Sequence, residues 1–251
     1  MEMEHAPLPL IHKLDARLSA AAALVRPGSR LADIGTDHAR LPVRLVADGV
    51  CPCAIASDIR KGPAEAARRT IREAGLTDKI QVRLGDGLSP LRPDETEDIV
   101  IAGMGGETII AILEAASWTK DARLRFILQP MTRAALLHRW LLAGGFAIET
   151  ERAVADGPHF YPVVRVVFTG EQQMVSELEA ITGGLSPQGA DSLYLEKQRQ
   201  SLLKKAAGLQ ASREGEQEAD KLLRLADELA DFLRKGEDNK NENFCERGRY
   251  L

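Results

Sequence analysis

The sequence predicts an α/β fold: a mostly parallel sheet of seven strands that ends in an antiparallel hairpin and is followed by helices. Short apolar, β-branched runs alternate with longer segments of helical period, which is typical of β-α units closing into a parallel sheet. Only the turn-forming residues 155–159 separate the last two strands, so these two should pair antiparallel. After Gly170 the strand pattern stops and two amphipathic helical segments follow.

Each element has its own signal in the chain. The predicted strands are Arg30–Ile34, Cys53–Ile59, Ile80–Asp86, Asp98–Met104, Arg125–Gln129, Ala147–Val154 and Tyr161–Phe168. Helices should fill the intervals between them, with glycines as stop signals, at Asp37–Ala47, Gly62–Ala74, Gly106–Ala115 and Arg133–Ala143. One more helical segment, Ile11–Leu24, precedes the first strand.

The C-terminal part predicts an antiparallel helical hairpin packed as a short coiled coil. Leucines recur every seven residues from Leu195 to Leu209, and a second apolar face runs from Leu222 to Leu233. Ser212–Gly215 would turn the chain between the two helices. We therefore expect one α/β domain at 1–170, the hairpin at 171–235 and, because the last stretch is polar and aperiodic, a disordered tail at 236–251.

Composition narrows the class of protein. With 251 residues, 44% hydrophobic and 28% charged, the chain can bury one substantial core. No apolar run is long enough to span a bilayer and the first residues do not resemble a signal peptide, so we expect a cytoplasmic protein without a membrane partner. Three scattered cysteines indicate neither a disulfide framework nor a metal site. Both a monomer and a homodimer stay open.

Charge is unevenly distributed along the chain. The net charge is −4, but residues 1–170 carry 21 cations against 21 anions and residues 171–251 carry 12 against 16. In the first part 17 of the cations are arginine, which pairs well with phosphate. The total charge gives no support to nucleic-acid binding, although a local basic surface is compatible with it.

Acidic side chains and glycines follow the first three predicted strands. Asp33, Gly35 and Thr36 come after the first, Asp58 ends the second, and the pair Asp86-Gly87 ends the third. Open α/β sheets bind ligands at the carboxyl ends of their strands, so these residues predict one pocket. The Gly-x-Gly-x-x-Gly spacing of nicotinamide enzymes is absent. An acid beside one loop glycine better fits a zwitterionic amino acid, such as the methionine half of S-adenosylmethionine. Asp58 would then accept hydrogen bonds from the ribose hydroxyls, and Asp86 would accept one from the adenine amino group. Each aspartate could instead cap the next helix.

The next two strands should bring a second group to the same edge. Gly103-Met104-Gly105-Gly106 follows the fourth strand, either as a backbone shelf for a flat base or as a tight turn, and Gln129-Pro130 ends the fifth. Asp37 is the candidate for stabilising a cationic product, with helix capping as the alternative. His38 would bind phosphate or orient Asp37, or be a structural donor. Arg17 would reach RNA phosphate or lie solvated on its helix.

Four stretches resemble one known family, the bacterial tRNA adenine-N1-methyltransferases that act at position 22: Asp33–Pro42, Arg83–Leu88, Ala102–Gly106 and Ile127–Pro130. The resemblance implies a Rossmann-like class I methyltransferase fold, S-adenosylmethionine as donor and 1-methyladenosine in tRNA as product. It places Ile59, Gly103 and Met104 with the cofactor residues above. It assigns a further set of residues to substrate binding: Arg17, Gly105, Gly106, Gln129, Pro130 and Tyr161. The chain departs from the family pattern at Arg40 and Met131, where an aromatic residue and Asn are usual.

Other functions are compatible with these residues. A methyltransferase for another target shares the same donor pocket, and a non-catalytic RNA-binding module could keep the donor as a regulatory ligand. A nicotinamide oxidoreductase is disfavoured by the missing glycine spacing. For the helical hairpin, simple helix pairing competes with gripping of tRNA, and its negative balance argues against a wide phosphate contact.

Overall fold

A computed structural model describes residues 13–209 and 215–247 of the chain, with side chains as far as residue 236. The strands are β1 Leu31–Ile34, β2 Ala54–Asp58, β3 Ile80–Leu84, β4 Asp98–Gly105, β5 Arg125–Thr132, β6 Phe146–Asp156 and β7 His159–Phe168. The helices are α1 Ala16–Ala22, α2 Arg40–Ala47, α3 Lys61–Glu73, α4 Gly106–Glu114, α5 Ala134–Ala143, α6 Glu177–Thr182, α7 Gly189–Leu209 and α8 Glu216–Arg247.

The seven strands form one sheet in the order β3-β2-β1-β4-β5-β7-β6. The first five are mutually parallel, and β7 lies antiparallel between β5 and β6. This confirms the predicted fold class. The chain winds from β1 towards one edge of the sheet and then returns to start β4 on the other side of β1. Such a reversal opens a crevice at the carboxyl ends of the strands, where open α/β sheets bind their ligands.

An apolar layer covers each face of the sheet, because strands buried on both sides alternate their side chains between two cores. On one face Leu31 of β1 packs in a cluster with residues of α1, α2 and α3. On the other face Ala32 and Ile34 share a cluster with Ile109 of α4 and Leu137 of α5. The sheet therefore holds the strand ends rigidly, and the loops that follow them inherit fixed positions.

Helix α2 begins later than the sequence predicted. The expected start was Asp37, but the helix begins at Arg40, after a turn in which Asp37 and Ala39 have φ values of 50° and 53°. These left-handed conformations are uncommon for residues with a side chain and cannot belong to a helix. The pattern of apolar residues did not reveal this turn, because Leu41 and Val43 are buried in either case.

The described residues after Gly170 form three helices, one more than predicted. The short α6 was missed, although Ser176 and Glu179 form a capping box at its start. Helices α7 and α8 pack against each other, and Gln188 near the start of α7 donates to the carbonyl of Gly236 in α8, so the pair is antiparallel.

The predicted tail differs from the structure over part of its length. Helix α8 continues to Arg247, and no proline interrupts it. Residues 248–251 and the middle of the predicted turn, 212–214, lie outside the described residues.

A buried ion pair joins α5 to the hairpin strand β6. His138 Nε2 lies 2.8 Å from Glu151 Oε1, and His138 Nδ1 lies 2.9 Å from the carbonyl oxygen of Ala180 in α6. Burial opposes protonation of the ring, but the Glu151 carboxylate and the Ala180 carbonyl outweigh it and raise the pKa of His138. The second oxygen of Glu151 accepts from the amide of Gly184. This cluster attaches the C-terminal helices to the sheet.

Candidate active site

Two adjoining cavities open at the carboxyl edge of the sheet. The larger, of about 730 Å³, is bounded by the loops after β1, β2, β3 and β4 and by the end of α4. The smaller, of about 370 Å³, lies between α1, the turn before α2 and the end of β5. Both cavities are lined by Gly35, Arg60, Ala102 and Gly103. A ligand in one cavity would therefore touch a ligand in the other.

The residues proposed for cofactor binding divide between the two cavities. The larger cavity is lined by Gly35, Asp58, Ile59, Asp86, Gly87, Gly103 and Met104. The smaller one is lined by Asp33 and Thr36, as well as by Asp37 and His38. The side chains that were expected at three separate strand ends thus lie along one continuous crevice.

Asp33 is a buried carboxylate without a cationic partner among the described residues. Its side chain is 5% exposed, and Thr36 Oγ1 donates to Asp33 Oδ2 over 2.5 Å. Burial raises the pKa of Asp33 to about 6; the Thr36 hydrogen bond opposes this rise and the nearby Asp58 adds to it. A buried charge normally has a counter-ion, so Asp33 marks a position suited to a cationic group of a ligand.

Asp58 combines a local structural bond with a place in the larger cavity. Asp58 Oδ1 accepts from the backbone amide of Arg60 over 2.8 Å, just before α3 begins at Lys61. The Arg60 guanidinium lies 3.5 Å from the same oxygen. The aspartate is only 4% exposed, yet it lines the cavity beside the exposed side chain of Ile59. A carboxylate above an apolar wall suits the hydroxyls and ring of a nucleoside.

Gly103 is a β-bulge inside β4, so the tight turn considered for this segment is not what the chain forms. Ala102 pairs with Gln129 and Met104 pairs with Pro130, which leaves Gly103 out of the ladder at a φ of 77°. The free amide of Gly103 donates to the side-chain oxygen of Gln129 over 3.0 Å. Gln129 is completely buried, and it thereby fixes the backbone shelf that lines both cavities.

Asp37 and His38 stand at the rim of the smaller cavity. Ala39, not Asp37, is the residue before α2, and that helix start receives no side-chain hydrogen bond. The capping alternative for Asp37 is therefore wrong. His38 Nε2 lies 3.4 Å from Asp37 Oδ2, and both side chains are substantially exposed. Asp37 has a left-handed backbone, which is strained for a residue with a side chain, and it lines the same cavity as Gly103.

Arg17 is held by other parts of the protein and is not a solvated residue on its helix. Its Nε donates to Asp156 at the end of β6 over 2.8 Å, and a second nitrogen donates to Asp15 over 2.9 Å. The guanidinium carbon lies 5.6 Å from the ring centre of Tyr161. A third nitrogen lies 3.5 Å from the Gln129 oxygen that fixes Gly103. Arg17 thus connects α1 and the β6-β7 hairpin to the backbone shelf.

Four of the proposed substrate residues do not line either cavity. One of them, Tyr161, lies beside the Arg17 guanidinium. Gly105 and Gly106 sit where β4 passes into α4, and Pro130 is buried within β5. A side chain on Gly106 would come within 2.5 Å of the Arg133 carbonyl oxygen, so glycine allows a close backbone approach there. Their placement indicates support of the shelf.

Sequence reasoning missed one wall of the larger cavity. Trp118, in a single helical turn at Ser117–Thr119, lines it together with Leu88, Thr108 and Ile112. The two aliphatic residues and the tryptophan add apolar surface to the cavity that Asp58 also lines. The turn that carries Trp118 has no periodic pattern, so no local signal distinguished this tryptophan from a core residue.

Within the described ranges, no group of three or more histidine, cysteine, aspartate or glutamate side chains is arranged to hold a metal ion. In the same part of the chain, no helix combines the length and the apolar character needed to cross a membrane.

Comparison with known proteins agrees with this geometry. The family model described as "Methyltransferase domain" matches residues 14–164. A Bacillus subtilis (strain 168) protein named tRNA (adenine(22)-N(1))-methyltransferase is 32% identical over 225 residues, which cover 86% of this chain and 94% of that one. Streptococcus pneumoniae Sp1610 in complex with S-adenosyl-L-methionine superposes with a TM-score of 0.73 at 33% identity, covering 85% of this chain and 97% of that one. M. capricolum TrmK in complex with S-adenosyl-homocysteine superposes with a TM-score of 0.76 at 25% identity, covering 88% of this chain and 99% of that one. On the strength of these similarities, the chain belongs to the methyltransferase domain family and, within it, to the family of the Bacillus tRNA (adenine(22)-N(1))-methyltransferase.

Proposed function

We propose that this protein transfers the methyl group of S-adenosylmethionine to N1 of an adenine in tRNA, at position 22 as named for its Bacillus relative. The observation that carries the proposal is the buried carboxylate of Asp33, which has no cationic partner in the described part of the chain and lines the smaller cavity close to Gly35, a residue common to both cavities. One cavity suits a nucleoside joined to an amino acid, and the other suits a base presented to it.

The residues fit the donor group by group. The carboxylate of Asp33, which lines the smaller cavity, suits the ammonium group of the methionine part. Gly35, which lines both cavities, has no side chain and lets the ligand approach the backbone closely. Asp58 is placed for the ribose hydroxyls, and Asp86 for the adenine amino group, between the apolar walls of Ile59 and Trp118. When bound, S-adenosylmethionine supplies an electrophilic methyl carbon on a sulfonium.

The main contribution of the protein to the reaction is to position the target base against the donor. Adenine N1 has an in-plane lone pair and no proton in the neutral base, so no general base is required. Holding the base in line with the methyl carbon can account for about 7–11 kcal/mol of the barrier. The bulge at Gly103, fixed by Gln129, provides a rigid shelf between the cavities on which a flat base can rest.

Asp37 is proposed to stabilise the product. Methylation at N1 leaves a cationic adenine, and a carboxylate near its amino edge would stabilise the positive charge as it develops. Asp37 is exposed at the rim of the smaller cavity, so its carboxylate is free to meet the base. His38 lies close enough to orient Asp37 or to contact the neighbouring phosphate.

Both cavities are lined by residues between Asp15 and Gln129. This supports the assignment of catalysis to the domain at 1–170 and of a separate role to the helices at 171–235. A cytoplasmic location accords with a tRNA substrate.

The activity is tested with purified full-length protein, S-adenosylmethionine and unmodified tRNA. Digestion to nucleosides and mass analysis should show 1-methyladenosine, and a transcript with guanine at position 22 should show none. Other methylated nucleosides, or label in protein, would replace the proposed target. No methylation together with tight donor binding would favour the non-catalytic module.

The role of Asp37 is tested with Asp37→Asn, because asparagine also accepts the left-handed backbone. We expect methylation to fall about a hundredfold, on the scale of a lost charge stabilisation, with donor affinity unchanged. Asp48→Asn, at the far end of α2 in an ion pair with Arg44, is the matched control and should retain activity. A wild-type rate in the first variant would remove Asp37 from the mechanism.

A further inference from the structure

Helices α2 and α3 carry an exposed group of cations without ion pairs. These residues, here called the α3 basic face, are Arg40, Lys61, Arg68, Arg69 and Arg72. All five are exposed, and none forms a salt bridge or a side-chain hydrogen bond in the described part of the chain. The same helix also carries two exposed acids, Glu65 and Glu73, which form no salt bridge in the described residues and leave α3 with four cations against two anions.

Most arginines in the described part of the chain form ion pairs, whereas the four arginines of the α3 basic face form none. For example, Arg26 forms an ion pair with Asp98, and Arg125 forms one with Glu149. Residues 40–73 hold seven lysines and arginines against four acids, in a chain whose net charge is −4. The α3 basic face is therefore a local positive surface on a negatively charged protein, and it attracts polyanions when the total charge does not.

The α3 basic face also begins at the active site. Arg40 lines the smaller cavity, and Lys61 directly follows Arg60, which lines both cavities. With a helical rise of 1.5 Å per residue, the row of cations extends about 18 Å from Arg60 to Arg72. A polymer with a nucleotide in the smaller cavity could thus continue along α3, with its charges facing the helix.

We propose that the α3 basic face binds the phosphate backbone of tRNA outside the target nucleotide. The inference rests on the proposed function for its ligand and adds the surface on which that ligand lies. Arginine side chains recognise phosphate oxygens with paired hydrogen bonds, and each neutralised phosphate releases counter-ions. The C-terminal helices, with 12 cations against 16 anions from residue 171 onwards, are the poorer candidate for this contact.

The test uses the full-length triple variant Arg68→Gln, Arg69→Gln, Arg72→Gln. These side chains line neither cavity, and glutamine has a helix propensity close to that of arginine. The matched control is Lys204→Gln, Lys205→Gln, Arg224→Gln, which removes three exposed cations from α7 and α8. For both variants and the wild type, tRNA affinity is measured between 50 and 200 mM salt, together with S-adenosylmethionine affinity and 1-methyladenosine formation.

We expect the α3 variant to bind tRNA at least about tenfold more weakly than the wild type. The slope of the logarithm of the affinity against the logarithm of the salt concentration should be shallower by about 2 to 3. Donor affinity should not change, and the control should bind tRNA like the wild type. Equal tRNA affinity and slope in the α3 variant and the wild type would overturn the proposal, as would an equal loss in the control. If the wild type binds tRNA through these arginines but forms no 1-methyladenosine, the surface stands and the proposed function fails.

Discussion

Replacing Asp33 with asparagine should stabilise the ligand-free protein and weaken its binding of S-adenosylmethionine. Burial raises the pKa of Asp33 from 3.8 to about 6, so the folded state disfavours the ionised carboxylate that exists at pH 7. That rise corresponds to about 3 kcal/mol of lost stability at pH 7. The loss disappears as the pH falls through 6 and then through 3.8, since the group is protonated in both states at low pH. Asparagine is nearly isosteric and carries no charge.

The stabilisation of Asp33→Asn should therefore be close to 3 kcal/mol at pH 7 and much smaller at pH 4. Donor affinity should fall about ten- to hundredfold, because a hydrogen bond to a charged group contributes roughly 1.5–3 kcal/mol. In the wild type the same affinity should fall about tenfold from pH 7 to pH 5, as Asp33 becomes protonated before the ligand binds. The variant should lack this pH dependence.

Denaturant unfolding at pH 7 and pH 4 measures the first effect, and titration calorimetry with S-adenosylmethionine measures the second. Asp98→Asn is the matched control. Asp98 is equally buried, but Arg26 Nε donates to it over 2.7 Å, so its replacement should destabilise the protein. The reasoning is refuted if both variants lose stability alike, or if Asp33→Asn binds the donor as tightly as the wild type.

Three further predictions concern the support of the site. His138→Ala should lower the free energy of unfolding by about 3–5 kcal/mol, because Glu151 stays buried without its partner. Since the pKa of His138 is raised in the folded protein, the wild type should lose this stabilisation as the pH rises above 6.5 and through the raised pKa. Denaturant unfolding at several pH values measures both effects. Gln129→Leu frees the Gly103 amide and should lower kcat about tenfold with donor affinity kept, an expectation that an unchanged kcat contradicts. Trp118→Ala should weaken donor binding about tenfold through lost apolar contact, as calorimetry would show, and equal affinity would mean that this wall does not touch the ligand.

The sequence by itself determined the sheet, the antiparallel ending and the edge at which the site lies. Parallel strands separated by helices must bring their carboxyl ends to one side, so residues such as Asp33, Asp58 and Asp86 could be grouped without coordinates. The alternation of apolar residues that predicts the strands is a local property, and in this chain no distant contact overrides it.

Only the tertiary structure decided how the side chains at that edge are held. The bulge at Gly103 depends on the side chain of Gln129, 26 residues away, and Arg17 is fixed by Asp156, which lies 139 residues further along the chain. The cavity wall at Trp118 likewise depends on distant segments, since Trp118 lines the cavity together with Asp58 and Leu88. Such contacts leave no periodic trace in the sequence, because hydrogen bonds and packing across the fold are set by which strands become neighbours.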